Sequence, residues 1–212
     1  MKNYSKTFLI IFCFTLVAGM SHAQIKYGVK AGATGSNLAG FEKFFNFVTD
    51  GEKINTEMTI RYHAGLSLDA SVGKLFVRPE LEFIQQGFAA KYQYESTDAE
   101  PENFQMYYLK LPVNIGYKHE LNMDTDLRFG IGGYAAYYLG GNEALKGYDI
   151  KPLDFGISVI AALDYINTST SISYEHGLVD VVGMDNWSTY RKANNLSALR
   201  NSCLKISFAY YF

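Results

Sequence analysis

The chain contains very little cysteine, with only Cys13 and Cys203 among its 212 residues. Cys13 lies within an apolar N-terminal run that we expect to be removed, so Cys203 would be the single cysteine of the mature protein. A single cysteine excludes an intramolecular disulfide, even in an oxidising compartment. Stability must therefore come from packing or from a lipid environment.

Long apolar runs and an excess of one charge are also lacking. After the N-terminal run, no segment reaches the roughly 20 apolar residues that a membrane-spanning helix needs. The formal net charge is −2 and the isoelectric point is near 6.1. This balance gives no concentrated positive field, and we therefore expect no nucleic-acid partner.

The N-terminus has the features of a secretory signal peptide. Lys2 and Lys6 form a positive n-region, residues 8–18 form an apolar h-region, and Ser-His-Ala at 21–23 resembles a cleavage site. The alternative, an N-terminal membrane helix, is disfavoured because the apolar run is shorter than a spanning helix requires.

The rest of the chain predicts one domain rich in β-strands. We expect residues 1–23 to be cleaved, which changes the net charge from −2 to −4, and residues 24–212 to form a single domain. Aromatic residues make up 16% of the chain, with 17 Tyr and 15 Phe, whereas proline occurs only 4 times. This composition favours strands over helices.

Eight segments have the length and alternation of strands that could cross a membrane. They lie near 25–35, 61–72, 75–92, 104–119, 124–139, 154–165, 169–178 and 201–212. The connections alternate between short and long. Short turns are expected at Gly73-Lys74, near 122–125 and at Asn167-Thr168, and longer connections after the first strand and at 96–102, 140–151 and 179–200. The pattern predicts an all-β fold: an eight-stranded antiparallel up-and-down transmembrane β-barrel with short periplasmic turns and longer external loops.

The two faces of the predicted strands differ in chemistry. In the last strand an apolar set alternates with a smaller, more polar set: Leu204, Ile206, Phe208, Tyr210 and Phe212 against Cys203, Lys205, Ser207, Ala209 and Tyr211. Glycines share the polar face, as a narrow lumen filled with large side chains requires: Gly65, Gly116, Gly130, Gly132 and Gly156. A membrane barrel with a polar lumen is therefore favoured. The alternative is a soluble periplasmic lipocalin-like barrel that binds a lipid or a small apolar ligand.

Two prolines fall inside predicted strands, where each removes a hydrogen bond of the ladder. We expect bulges or ladder irregularities at Pro79 and Pro112. Both prolines belong to a series of short motifs: Lys26–Gly32, Ser36–Leu38, Arg78–Glu82, Gln86-Gly87, Tyr108–Val113, Ile172–Leu178 and Phe208–Phe212. In this order, the series resembles the PorT-like outer-membrane β-barrel proteins. The resemblance implies an eight-stranded barrel of small OmpA-like architecture, and it implies little about activity.

Charged residues of both signs lie on the lumen face, where a charge is stable only when it is paired or hydrated. We expect a structural salt-bridge network made of Lys30, Asp69, Arg78, Glu80, Glu82, Lys110, Arg128, Asp164, Glu175 and Lys205. Acid–base chemistry by Glu80 and Glu82, in an outer-membrane enzyme, is the alternative. His63, His119 and His176 stand on three different strands without metal-ligand spacing. No catalytic, cofactor or metal site is therefore expected.

Specificity is expected in the long loops, because a rigid barrel displays them to the exterior. The first loop contains Phe41 and Phe47, and the recognition candidates are Phe44, Phe45, Trp187, Tyr190 and Arg191. Alternatively, these loops fold over the barrel mouth. The sequence predicts a monomeric integral protein of the bacterial outer membrane, with a filled polar lumen and a structural or surface-binding role. Expected partners are outer-membrane lipid and an extracellular or cell-envelope protein or glycan.

Overall fold

Eight strands form a closed antiparallel barrel, in which each strand pairs with its sequence neighbours and the last pairs with the first. The computed structural model describes residues 24–41, 54–92, 101–146, 149–181, 194 and 198–212. The strands are β1 (Gln24–Ala39), β2 (Ile54–Val72), β3 (Leu75–Tyr92), β4 (Glu102–Asn122), β5 (Thr125–Gly141), β6 (Leu153–Tyr165), β7 (Thr168–Gly177) and β8 (Arg200–Tyr211). The predicted eight-stranded, all-β antiparallel fold is confirmed.

The two ends of the barrel differ in their connections. Pairs of residues link β2 to β3, β4 to β5 and β6 to β7 at one end, which we call the turn end. The opposite end, the loop end, carries the longer connections. The third turn is Ile166-Asn167 rather than the predicted Asn167-Thr168, because Thr168 already pairs with Tyr165 and Tyr210. Asparagine favours such turns, yet the residue with positive φ (54°) is Ile166.

The exterior of the barrel is apolar, and the alternating residues that were predicted to face outward do so. On β8, Ile206 and Phe208 are 57% and 56% exposed, whereas Lys205 and Ser207 between them are buried. Exposed aromatic residues occur at both ends of the barrel, such as Tyr137 and Phe155 at the loop end and, at the turn end, Tyr27, which stacks on Phe212 with ring centroids 5.8 Å apart. Helical segments long and apolar enough to cross a membrane do not occur among the described residues.

The two strand prolines coincide with interruptions of the ladder, as expected, and these interruptions involve no bulge. Pairing between β3 and β4 is interrupted after Pro79↔Val113 and resumes at Glu82↔Lys110 in the same register. Pro112 would lie opposite Glu80, within this gap. Pro79 also falls in a gap between β2 and β3, where pairing stops after Ser67↔Glu80 and resumes at Ala70↔Val77 in the same register. Register shifts occur elsewhere, between Met58 and His63, Tyr107 and Tyr108, and Glu120 and Asn122.

Glycines on the lumen face leave space for large neighbours. A Cβ built on Gly130 would lie 2.9 Å from the ring of Phe76, and one on Gly132 would lie 2.7 Å from Asn114. A Cβ on Gly156 would collide with the ring of Tyr134 and with the backbone carbonyl of His176. Small and large side chains therefore alternate across the lumen, as a filled eight-stranded barrel requires.

Gly156→Ala is expected to lower the free energy of unfolding by about 1–3 kcal/mol, the usual cost of overpacking a filled core. The backbone carbonyl of His176 cannot swing away as a flexible side chain could. Urea unfolding of the folded barrel in detergent would measure the loss. Gly133→Ala is the matched control, because its Cβ would meet only the carbonyl of Gly156, at 3.3 Å. Equal stability of the two variants would contradict this account of the packing.

Candidate functional site

Two arginines and two aspartates form an ion-pair group in the lumen near the turn end. Arg78 lies 2.9 Å from Asp69 and 3.3 Å from Asp164, measured between side-chain nitrogen and oxygen. Arg128 lies 2.6 Å from each of the same two carboxylates. The ring of Phe76 packs beside both guanidinium groups, 5.7 Å from Arg78 and 5.3 Å from Arg128. The four charges cancel within this turn-end group.

A second group, the central chain, crosses the middle of the lumen as alternating glutamates and lysines. Lys30 Nζ lies 2.8 Å from Glu80 and 2.7 Å from Glu82. Lys205 Nζ lies 2.8 Å from Glu82 and 2.5 Å from Glu175. Lys110 Nζ completes the chain, 2.8 Å from Glu175. Its order is therefore Glu80, Lys30, Glu82, Lys205, Glu175 and Lys110, with three charges of each sign.

Burial explains why these charges alternate. The side chains of Lys110 and Glu82 are fully buried, and that of Lys205 is 1% exposed. An unpaired charge in such a place costs several kcal/mol, and each carboxylate therefore needs an ammonium group beside it. The structure brings together all ten charged residues expected in the lumen, in two neutral groups. Glu80 and Glu82 are both held by lysines, Glu80 by Lys30 and Glu82 by Lys30 and Lys205.

The histidines do not converge. His63 is buried in the lumen, where its Nδ1 lies 2.8 Å from the hydroxyl of Thr34 and its Nε2 lies 2.8 Å from the hydroxyl of Ser207. His119 is exposed near the turn end, and His176 is half-buried on β7. In the parts of the chain that the structure describes, no three His, Cys, Asp or Glu side chains are grouped as a metal site would require.

The structure adds a buried carboxylate that the sequence reasoning missed. Asp154, at the start of β6, is 1% exposed and lies on the loop-end side of the central chain. Its Oδ2 accepts a hydrogen bond from Asn201 Nδ2 at 3.0 Å and lies 3.3 Å from the hydroxyl of Tyr134. Asp154 lies two and four residues before Gly156 and Ser158, so the alternation of the strand predicts that it faces the lumen. It is also the first residue of the predicted strand, where the alternation is a weak signal.

The loop end of the lumen is apolar, which corrects the expectation of a polar lumen along its whole length. Buried side chains from β1, β3, β4 and the long connections form an apolar plug there: Leu38, Phe41, Phe88, Ala90, Phe104, Val181 and Leu199. Phe41, expected among exposed loop aromatics, is 4% exposed and packs on Phe88 with ring centroids 4.5 Å apart. Apolar packing is favoured here because it excludes water from the mouth without the desolvation cost of charges.

The five loop recognition candidates, Phe44, Phe45, Trp187, Tyr190 and Arg191, lie outside the described residues. The same holds for the predicted signal peptide, residues 1–23.

An apolar exterior around a charged, filled interior defines a β-barrel that is built for a membrane. The family model for the outer membrane protein beta-barrel domain matches residues 20–183. The chain therefore belongs to this family of outer membrane β-barrel proteins, and the family indicates the bacterial outer membrane as its location. No curated protein matches the chain in sequence.

Three of the solved structures that match this chain come from different bacteria. Neisserial surface protein A shares 13% identity over 90% of this chain and 99% of its own, with a TM-score of 0.46. OprG of Pseudomonas aeruginosa shares 11% identity over 89% and 94%, with a TM-score of 0.45. Ail, the attachment invasion locus protein of Yersinia pestis, in complex with the heparin analogue sucrose octasulfate, shares 11% identity over 89% and 99%, with a TM-score of 0.43.

Proposed function

We propose that this chain is an exported, monomeric outer-membrane barrel with a closed lumen and a structural or surface-binding role, of the PorT-like kind within its family. Residues 1–23 serve as the signal peptide, and lipid covers the apolar exterior. The partners at the loop end are an extracellular or cell-envelope protein or glycan. The observation that carries the proposal is the filled lumen, which leaves the ends of the barrel as the surfaces open to a partner.

The closed lumen is supported at two levels. The central chain occupies the middle of the barrel with six buried, paired charges. The apolar plug lies above it at the loop end. An eight-stranded barrel has room for little more than its own side chains, and a diffusion pore for solutes is therefore disfavoured.

The distribution of polarity argues against the soluble alternative. A lipocalin-like barrel would place apolar side chains in its lumen and polar ones in water. Here Val159 and Ile131 are 54% and 65% exposed on the exterior, whereas Glu82 and Lys110 are fully buried. An enzymatic role is also disfavoured, because ion pairs engage Glu80 and Glu82, the glutamates that suggested acid–base chemistry.

The lengths of the connections orient the proposed binding surface. Barrels of this class place short turns in the periplasm and long loops outside the cell. The turn end carries two-residue connections, whereas residues 40–53 and 178–199 separate strands at the loop end. We propose that the aromatic and charged residues of these two connections contact the partner.

Bacterial cells that display the protein are expected to adhere to immobilised extracellular-matrix protein or glycan better than cells that lack it. The double variants Phe44→Ser/Phe45→Ser and Trp187→Ser/Tyr190→Ser should lose at least half of this gain, because aromatic side chains contribute strongly to recognition. Adhesion counts at equal surface amounts would measure the loss.

The matched control is Leu121→Ser/Met123→Ser, which removes two exposed apolar side chains at the turn end. This variant should adhere as the wild type does. Absence of any gain by the wild type, or an equal loss in the turn-end variant, would refute surface binding through the loops.

A further inference from the structure

An apolar groove lies on the exterior of the barrel, across β3, β4, β5 and β6, with a volume of about 790 Å³. This volume is within the range of about 300–1,000 Å³ that is usual for small-ligand sites. Two rows of outward-facing side chains border it: Leu75, Tyr117, Phe129 and Ala161 toward the turn end, and Val77, Ile115, Ile131 and Val159 toward the loop end. These side chains are hydrocarbon apart from the hydroxyl of Tyr117, so the groove suits a hydrocarbon chain.

A small residue deepens the groove at β6. Ala161 stands in its row between Phe129 on β5 and Ile172 on β7, which are both large and exposed. Ala161 itself is half-buried. A chain that lies in the groove contacts side chains of both rows, and dispersion attraction increases with the number of close neighbours. The groove therefore holds a hydrocarbon chain more tightly than a flat apolar face does.

The groove extends over the depth of one leaflet. It begins beside the β2–β3 turn at Leu75, the first residue of β3, and reaches Val159, six residues before the end of β6 at Tyr165. Six residues of a strand tilted by about 40° rise roughly 15 Å along the membrane normal. This is half of a hydrocarbon core of about 30 Å. An acyl chain of a lipid whose headgroup is at the turn end therefore runs along the groove.

A lysine stands at the turn-end rim of the groove. Lys74 Nζ lies 6.0 Å from the centroid of the Tyr117 ring. The backbone carbonyl of Lys74 accepts a hydrogen bond from the N–H of Lys118 at 2.7 Å, which holds the turn against β4. Lys118 pairs with Glu120 and Asp126, whereas exposed Lys74 forms no ion pair within the described part of the chain. An ammonium group at the end of an apolar groove complements a phosphate that carries an acyl chain.

We propose that this groove binds one anionic phospholipid of the periplasmic leaflet, with an acyl chain between the two rows and the phosphate on Lys74 Nζ. A net negative headgroup is favoured, because a zwitterionic headgroup brings an ammonium group of its own beside Lys74. The site rests on the proposed lipid cover of the exterior and names the lipid. It does not depend on the role of the loops.

Phosphatidylglycerol and phosphatidylethanolamine with identical acyl chains are the probes. The protein, purified folded in a non-ionic detergent, is titrated with each lipid, and native mass spectrometry counts the lipids that remain bound. The wild type is expected to saturate with one phosphatidylglycerol, at an affinity at least fivefold above that for phosphatidylethanolamine. Lys74→Gln should remove this preference, because Lys74 supplies the ammonium group that pairs with the phosphate. Lys91→Gln, at an exposed lysine of β3 far from the turn end, should keep it.

A second pair of variants tests the acyl chain. Ala161→Phe should weaken the binding of both lipids at least fivefold, because the ring fills the groove. Ala64→Phe is the matched control, since Ala64 is exposed on β2 outside the groove, and it should bind as the wild type does. If Ala161→Phe fails to fold, Lys74→Gln still decides the test, because it changes only an exposed turn residue.

Three results would overturn the proposal: equal affinities for the two lipids, binding of many lipids without saturation at one, or full binding by Lys74→Gln. A dimer that Ala161→Phe dissociates would assign the groove to a second copy of the chain and would overturn it as well. Loss of selective binding in a barrel whose exterior still disfavours a buried arginine would contradict this site alone and leave the lipid cover standing.

Discussion

Lys205→Met is expected to destabilise the barrel by about 3–5 kcal/mol, the cost of removing one partner from a buried ion pair. Lys205 Nζ stands between two carboxylates, 2.8 Å from Glu82 and 2.5 Å from Glu175. Its removal leaves three glutamates in the central chain with two lysines. Methionine has a similar length and is apolar, so the loss of stability reflects the missing charge more than a change in side-chain volume.

A second substitution should recover most of this loss. In Lys205→Met/Glu82→Gln, Lys30 still pairs with Glu80 and Lys110 still pairs with Glu175, which restores neutrality. Urea unfolding in detergent, monitored by the heat-dependent gel mobility of the folded barrel, would give the free energies of unfolding of the wild type, the single variant and the double variant. Lys91→Met, at an exposed lysine of β3, should change the stability by less than about 0.5 kcal/mol. The structural role of the central chain would be refuted by a single variant as stable as the wild type, or by a double variant no more stable than the single one.

The alternation of residue types predicts which side chains enter the lumen, because successive residues of a strand point to opposite faces. This was enough to place Lys205 inside and Phe208 outside. It was not enough to pair the charges, since pairing depends on the register of strands that are distant in sequence. Lys205 and Glu82 are separated by 123 residues, and their contact requires closure of the barrel and the observed stagger of all eight strands.

The sequence analysis was weakest at the loop end. Phe88 and Phe104 occupy lumen positions of β3 and β4 that the alternation predicts, but Phe41 joins them because part of a connection folds back over the mouth, and periodicity says nothing about such folding. Asp154 was not predicted for a related reason. It lies at the start of a strand, where two or three residues are too short a pattern to show which face of the sheet each side chain is on. The residues that close the lumen, and the carboxylate beneath them, thus depend on tertiary packing.

Val159→Arg is expected to cost about 2–4 kcal/mol of folding free energy in lipid vesicles, as for an arginine near the bilayer midplane on the lipid face of a barrel. Val159 is 54% exposed on the exterior of β6 and lies between Ile131 and Tyr174, which also face outward. An aqueous exterior would solvate the arginine and reduce the cost to a few tenths of a kcal/mol, because isolated surface substitutions are nearly neutral. Met123→Arg, at a fully exposed residue of the turn end, should cost only about 0–1 kcal/mol because it lies near the interface. Equal, small costs for both variants would refute burial of this exterior in lipid, whereas a cost that rises from Met123 to Val159 would locate the bilayer along the barrel axis.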